Sequence, residues 1–166
     1  MNYLIVDDTP EHLKPLADAL RRVEHNVVFS RDLGIAWGWL GRGDQFGLII
    51  IDLALDRYTQ EFAEEHRIIK EGLASRGLGD LPMSGQALGL RLWRQRKNLK
   101  QRYCYITHHR HLWLAGLGDS DFEFAKKPLR DLDKIVLDKS SLWPNNIVAK
   151  LQEAYDAWEQ QKWLLD

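Results

Sequence analysis

Short runs of apolar residues that end in acidic side chains recur along the chain. The clearest run, residues 48–51, contains four branched apolar residues and is followed directly by Asp52. A continuous run of this length is typical of a strand that helices cover on both faces, as in a parallel sheet. Residues 3–6 have the same form and precede Asp7 and Asp8. We therefore predict that two buried strands carry their acidic residues to the same edge of a parallel sheet.

Segments with helical periodicity separate the predicted strands. Three such segments are Leu13, Leu16, Leu20 and Val23; Leu33, Ala36, Trp37 and Leu40; and Ile147, Val148, Leu151, Ala154 and Trp158. Further strands are predicted at residues 26–29, 103–106 and 135–137, so strands and helices alternate. This pattern predicts an α/β fold, a doubly wound five-stranded parallel sheet with helices on both faces. Ligands of such sheets bind at the carboxyl ends of the strands.

The ends of two helices can also be predicted. Thr9 and Pro10 suit the N-cap and first turn of the first helix. Pro15 would then lie inside that helix, where proline is disfavoured, so the helix should start late or kink near its beginning. At the other end of the chain, Ser140 or Ser141 should cap the final helix.

One connection is much longer than the roughly two to six residues usual between a strand and a helix. After Asp52, the next sheet-packing helix is predicted only from Ser84, which leaves an insertion at about residues 55–82. An amphipathic helix within it is outlined by Phe62, Ala63, Ile68, Ile69 and Leu73. We expect this helix to overhang the acidic edge. It is either an elaborated loop that covers apolar surface or a lid or docking element.

Composition limits the class of protein. The 166 residues are enough for a single domain, 1–166, and no apolar run reaches the roughly 18 residues of a membrane span. We expect a soluble, cytoplasmic protein, in which Cys104 alone cannot form an internal disulfide. The 23 basic and 24 acidic residues give a net charge of -1, which argues against direct nucleic-acid binding. We interpret the basic run at residues 91–102 as a solvated helix face.

Candidate chemistry gathers at the predicted carboxyl edge. Asp7, Asp8 and Asp52 would repel one another there unless a cation relieves them, and their oxygen ligands suit Mg²⁺. Thr107 follows the fourth strand and Lys139 follows the fifth, so a hydroxyl and an ammonium group join the same edge.

These residues, in this order, resemble the response-regulator receiver domain of two-component signalling over nearly the whole chain. Residues 6–8 resemble the acidic pair of that family, residues 51–53 its phospho-acceptor strand and residues 82–85 the segment that opens its third helix. Thr107 falls at the position of its switch hydroxyl and Lys139 at that of its lysine.

The resemblance implies the flavodoxin-like strand order 2-1-3-4-5 and a signalling domain that phosphorylates itself on Asp52, not a conventional enzyme. It implies that Asp8, Asp52 and the backbone carbonyl of Ala54 hold Mg²⁺, with Asp7 acting largely through water. The implied partners are a sensor histidine kinase or histidine phosphotransfer protein and a downstream protein. Because no output domain follows, we expect a stand-alone receiver. Helix four, strand five and the final helix would carry a homodimer interface, if one forms.

The chain departs from the family in several places. Lys127, within residues 124–128, is a rival for the lysine, with Phe124 as the switch aromatic. We choose Lys139, because choosing Lys127 would leave the strand at 135–137 without a place in the fold. A further departure is the bulky His108, which stands where the family has a small residue.

Two other functions stay open. A pseudo-receiver would keep the acidic residues as part of a binding module that is not phosphorylated. A Mg²⁺-dependent phosphatase of the haloacid-dehalogenase type would need Asp-x-Asp after the first strand, a spacing that residues 7–9 lack.

Overall fold

The strands form a single parallel sheet. The computed structural model describes residues 1–55, 59–79, 81, 83–117, 121–124 and 127–166. Within these ranges the strands are β1 (Asn2–Val6), β2 (Asn26–Ser30), β3 (Leu48–Asp52), β4 (Tyr103–Thr107) and β5 (Val136–Asp138). Their order is β2-β1-β3-β4-β5, and all neighbouring pairs are parallel. The predicted doubly wound, flavodoxin-like fold class is therefore confirmed.

Helices cover both faces of the sheet. They are α1 (Lys14–Arg22), α2 (Leu33–Gly41), α3 (Ala63–Ser75), α4 (Gln86–Arg94), α5 (Arg96–Leu99), α6 (Arg110–Ala115), α7 (Leu129–Leu132) and α8 (Ile147–Gln161). Ile5, Ile50 and Ile106 face α1 and α8. Tyr105 points to the opposite face, toward Gly89 of α4, because successive strand side chains alternate. None of the helices in the described ranges is both long and apolar enough to cross a bilayer.

The first helix starts late, as predicted. Pro10–Leu13 form a 3₁₀ turn, and α1 begins only at Lys14. Pro15 therefore lies in the first turn of α1, where a backbone N–H would have no helical partner and its loss costs little. Val23, expected on the apolar face, lies just beyond the helix and is 50% exposed.

The prediction that Ser140 or Ser141 caps the final helix is wrong. Both residues lie in a 3₁₀ turn, and α8 begins only at Ile147, with Asn146 at its N-cap. Asp138 accepts hydrogen bonds from the backbone N–H of Ser140, at 3.0 Å, and from its hydroxyl, at 2.6 Å. Asn146 bonds the backbone of Trp143 and Ser141 across the intervening loop. Through these local contacts, Ser140 and Ser141 stabilise the turn after β5 and do not cap α8.

The predicted amphipathic helix of the insertion is α3, and its Ile68, Ile69 and Leu73 are buried, as is Phe62 in the 3₁₀ turn before it. Arg91 of α4 donates hydrogen bonds of 2.7 and 3.0 Å to Glu65, and its guanidinium lies 3.8 Å from the centre of the Phe62 ring. Most of α3 therefore packs along α4. Another side of α3, from Ala63 to Leu73, lines a cavity of about 480 Å³ together with Leu55 of the loop that follows β3. Of the residues named in the predictions, 56–58, 80, 82, 125 and 126 lie outside the described ranges.

The basic run at residues 91–102 is not simply a solvated helix face. Arg96 donates to the backbone carbonyls of Trp163 and Asp166, and Lys100 donates to that of Leu164. These carbonyls belong to residues that follow α8, so no N–H group of a helix donates to them. The basic side chains therefore hold the last residues of the chain against α4 and α5.

Candidate functional site

Three acidic side chains meet at the carboxyl edge of β1 and β3. The pairing of Val6 with Ile51 places the residues that follow them, Asp7 and Asp52, side by side. Both are buried, at 0% and 4% exposure, and Asp8 is half-buried. One carboxylate oxygen from each lies within 4.8 Å of the other two. This is the convergence that the strand pattern predicts.

The lysine that reaches these carboxylates is Lys139. Its ammonium nitrogen lies 3.1 Å from Oδ2 of Asp52 and 3.3 Å from Oδ2 of Asp7. Lys139 follows β5 directly. The rival, Lys127, forms an ion pair with Asp166 instead. Of the two candidate lysines, only Lys139 contacts the acidic residues in the described part of the chain.

Burial and charge set the ionisation of this group. Burial raises the pKa of Asp52, repulsion from Asp7 raises it further, and Lys139 and the N–H of Ala54 oppose both effects. Burial alone would lower the pKa of Lys139, but the carboxylates of Asp52 and Asp7 outweigh it and raise that pKa. The lysine is therefore held as a cation, and the ionised form of Asp52 depends on nearby positive charge.

Backbone contacts fix the orientation of the two buried carboxylates. Oδ1 of Asp7 accepts hydrogen bonds from the backbone N–H and the hydroxyl of Thr9, at 2.8 and 3.2 Å. Oδ1 of Asp52 accepts one from the N–H of Ala54, at 3.2 Å. Sequence reasoning treated Thr9 only as a helix cap. Its contact with Asp7 could have been predicted, because Thr9 lies two residues after an aspartate and this spacing is typical of a side chain that closes a turn.

Gly85 is a second contributor whose role the sequence did not reveal. A Cβ atom on Gly85 would lie 2.0 Å from the carbonyl oxygen of Asp52, and its N–H donates to the carbonyl of Leu53 at 3.1 Å. Only glycine allows the start of α4 to approach the end of β3 this closely.

Thr107 is the last residue of β4 and is 2% exposed. It lies one position beyond Ile106, the β4 residue that pairs with Asp52. Its hydroxyl oxygen accepts a hydrogen bond from the backbone N–H of His109, at 3.0 Å. The side chain of His108 is exposed. Thr107 therefore lies at the same edge as the carboxylates.

The donor set suits a hard divalent cation. Within the described ranges, Asp7, Asp8 and Asp52 are the residues whose potential metal ligands cluster, and all three supply carboxylate oxygens. Ala54 is half-buried two residues after Asp52. His108, His109 and His111 do not form such a cluster. The chemistry of the site thus favours Mg²⁺ over zinc.

Comparisons with known proteins identify the fold. No family model and no curated protein sequence matches the chain. Among solved structures, a CheY-like response regulator receiver domain protein from Methanospirillum hungatei JF-1 is 16% identical, with a TM-score of 0.56 over 96% of this chain and 97% of that one. A response regulator from Thermotoga maritima is 11% identical, with a TM-score of 0.54 over 93% and 97%.

A third similar structure is a response regulator protein from Burkholderia pseudomallei with a phosphorylated aspartic acid, calcium ion and citrate. It is 17% identical, with a TM-score of 0.53 over 97% of this chain and 72% of that one. At these identities the likeness establishes the fold and no more. The chain has the fold of response-regulator receiver domains, and the resemblance seen in the sequence is confirmed at that level.

Proposed function

We propose that this protein is a response-regulator receiver that accepts a phosphoryl group on Asp52 and signals through a protein-binding surface that depends on phosphorylation. The observation that carries the proposal is the grouping of Asp7, Asp8 and Asp52 with the ammonium of Lys139. Fold alone would not support it, since one fold hosts many functions.

The proposed reaction is transfer from a phosphohistidine of a sensor kinase or phosphotransfer protein. An oxygen of Asp52 forms a bond to phosphorus while the phosphorus–nitrogen bond breaks, and the imidazole nitrogen keeps the electron pair and takes up a proton. Such transfers depend on alignment and on charge neutralisation. Lys139 supplies a positive charge to the transferred group, and the hydroxyl of Thr107 can donate a hydrogen bond to one of its oxygens.

Mg²⁺ would be held by Asp8, Asp52 and the backbone carbonyl of Ala54, with Asp7 acting largely through water. When bound, the ion supplies positive charge that offsets the crowded carboxylates and the incoming phosphoryl oxygens. Asp7 and Thr9 would orient that part of the site, because the hydrogen bonds from Thr9 fix the Asp7 carboxylate.

Signalling would follow from the added charge. A phosphoryl group on Asp52 brings nearly two negative charges and three acceptor oxygens beside Lys139 and Thr107. A shift of Thr107 would move the end of β4 and the turn at His108 and His109. The downstream partner would then recognise the altered surface.

The experiment is incubation of the protein with acetyl phosphate and Mg²⁺, followed by intact mass measurement. We expect the wild type to gain one phosphoryl group and Asp52→Asn to gain none. Lys139→Met should slow the gain by about 10²-fold, the usual effect of losing one stabilising donor. Lys127→Met is the matched control and should react like the wild type.

Two outcomes would reject the proposal. One is the absence of any mass gain on the wild type, and the other is an equal gain on Asp52→Asn. If the wild type gains no mass and its site also ignores millimolar Mg²⁺, the pseudo-receiver function is favoured instead.

A further inference from the structure

A second buried acid, Glu123, plays no part in the proposed phosphoryl transfer. It lies in the segment 121–124 after α6 and is fully buried. Its two carboxyl oxygens, Oε1 and Oε2, lie 2.8 and 2.6 Å from the hydroxyl oxygen of Tyr105. Oε1 also lies 3.2 Å from the side-chain amide nitrogen of Gln86. The hydroxyl of Tyr103 also donates to it. Three uncharged donors therefore surround one carboxyl group.

The donors are themselves fixed by neighbouring elements. The indole N–H of Trp113 in α6 donates to the side-chain oxygen of Gln86, at 3.3 Å. Tyr105 fits against α4 only because residue 89 is glycine, since a Cβ there would lie 1.7 Å from the tyrosine oxygen. Glu123 thus connects its own segment to β4 directly and, through Gln86, to α4 and α6.

No cation contacts Glu123 among the residues that the structure describes. Its charged neighbour is Asp121, which accepts a hydrogen bond from the Glu123 backbone N–H at 2.9 Å and whose own pKa burial raises. Arg76 lies 3.8 Å from Asp121 and partly offsets that charge. Burial also raises the pKa of Tyr103 and Tyr105, so neither phenol ionises near neutral pH.

Burial raises the pKa of Glu123 to about 8, with the two phenols and Gln86 opposing the rise and Asp121 adding to it. The carboxyl group is therefore mostly neutral at pH 7. Ionisation would leave a negative charge in a buried site where no described residue supplies a counter-charge, which is costly unless the group moves into water.

We propose that Glu123 is a proton-dependent latch that ties the segment 121–124 to β4 and α4. The neutral carboxyl group holds the segment closed, and loss of its proton to solvent releases it. The segment is the part that opens, because it lies outside the paired strands of the sheet. Opening changes how the chain presents Phe122, whose side chain is 57% exposed. The latch requires neither Mg²⁺ nor phosphoryl transfer.

The first test compares the stability of the wild type with that of Glu123→Gln, which mimics the neutral acid. The ordinary pKa of the carboxyl group is 4.5, and the folded value is about 8. Between these values the unfolded chain has lost the proton and the folded chain keeps it, so rising pH favours unfolding. Urea titrations from pH 5 to 9 should show the wild-type unfolding constant rising relative to the variant by up to tenfold per pH unit, and levelling above pH 8.

The matched control is Glu153→Gln, at an exposed position of α8. Its stability should follow that of the wild type over the whole pH range. Parallel pH profiles for the wild type and Glu123→Gln would overturn the proposal, because Glu123 would then titrate alike in the folded and unfolded chain.

The second test uses only the wild type and so does not depend on the variant folding. Carbon-13 NMR should find one glutamate carboxyl resonance with a midpoint near pH 8. The Trp113 indole resonance and the amides of residues 121–124 should shift with the same midpoint, without Mg²⁺ or a phosphoryl donor. If every glutamate titrates below pH 6, or if these reporters stay unchanged while one titrates near 8, the latch is rejected. Neither result bears on phosphorylation of Asp52.

Discussion

The position of Asp52 is energetically unfavourable for an ionised carboxylate. It is 4% exposed, lies beside Asp7 and has Lys139 as its cationic partner. Burial and the neighbouring charge raise its pKa, so its ionised form is less favourable in the folded protein than in the unfolded chain. A residue placed in this way reduces stability at neutral pH, which is common at functional sites.

The first prediction is that Asp52→Asn stabilises the protein at pH 7, by on the order of 1 kcal/mol. A carboxyl group with a raised folded pKa destabilises increasingly as pH rises above its unfolded value of 3.8, so the gain should shrink toward pH 4. Urea unfolding at pH 4 and pH 7 measures this. Asp18→Asn is the control: hydrogen bonding to Lys14 lowers the Asp18 pKa, so that variant should not gain stability at pH 7. A loss of stability in Asp52→Asn at pH 7 would contradict the prediction.

At the scale of elements, α4 and β4 are in close contact at Gly89 and Tyr105. Gly89 lies where the hydroxyl of Tyr105 passes the helix. The same hydroxyl binds Glu123, so the position of α4 determines whether that carboxyl group can be bonded. The contact therefore matters both for packing and for the proposed latch.

The second prediction concerns this contact. Gly89→Ala should lower the free energy of unfolding by about 3 kcal/mol, because the new Cβ would overlap the Tyr105 hydroxyl and force α4 or the ring to move. Gly38→Ala in α2 is the matched control, since no atom lies within 4 Å of its added Cβ. That variant should gain about 0.5 kcal/mol from helix propensity. Chemical denaturation measures both, and an equal effect of the two substitutions would refute the steric argument.

For the molecule as a whole, an aromatic cluster joins parts that are distant in sequence. It contains Trp93, Tyr103, Phe124, Trp158 and Trp163, whose neighbouring rings lie 4.6 to 6.3 Å apart. The cluster connects α4, β4, α8, the segment 121–124 before α7 and the residues that follow α8. It should therefore make the unfolding of these parts cooperative.

The third prediction tests this cluster. Trp158→Phe should cost about 2 kcal/mol of stability, because it removes buried ring volume and the indole N–H that donates to the Tyr103 carbonyl at 2.8 Å. Trp143→Phe is the control and should change stability by less than about 0.5 kcal/mol, since Trp143 is 59% exposed. Urea unfolding followed by circular dichroism measures both. Equal losses would show that burial in the cluster does not determine the effect.

The sequence by itself determined the sheet and the acidic edge. Runs such as residues 48–52 specify a buried strand through their own composition, and alternation with helical segments leaves few topologies. Asp7, Asp8 and Asp52 follow directly, because residues that end parallel neighbouring strands must meet. The late start of α1 was also predictable, since the cost of Pro15 inside a helix is local.

Only the tertiary structure decided which distant residues meet. The strand pattern favoured Lys139 over Lys127, but whether its ammonium reaches Asp52 depends on a contact between residues 87 positions apart. In the sequence, Glu123 is one acidic residue in an irregular segment. Its burial arises because two tyrosines and a glutamine from other elements enclose it. Periodicity specifies which side of an element is buried, whereas the partner across the core depends on how all the elements pack together.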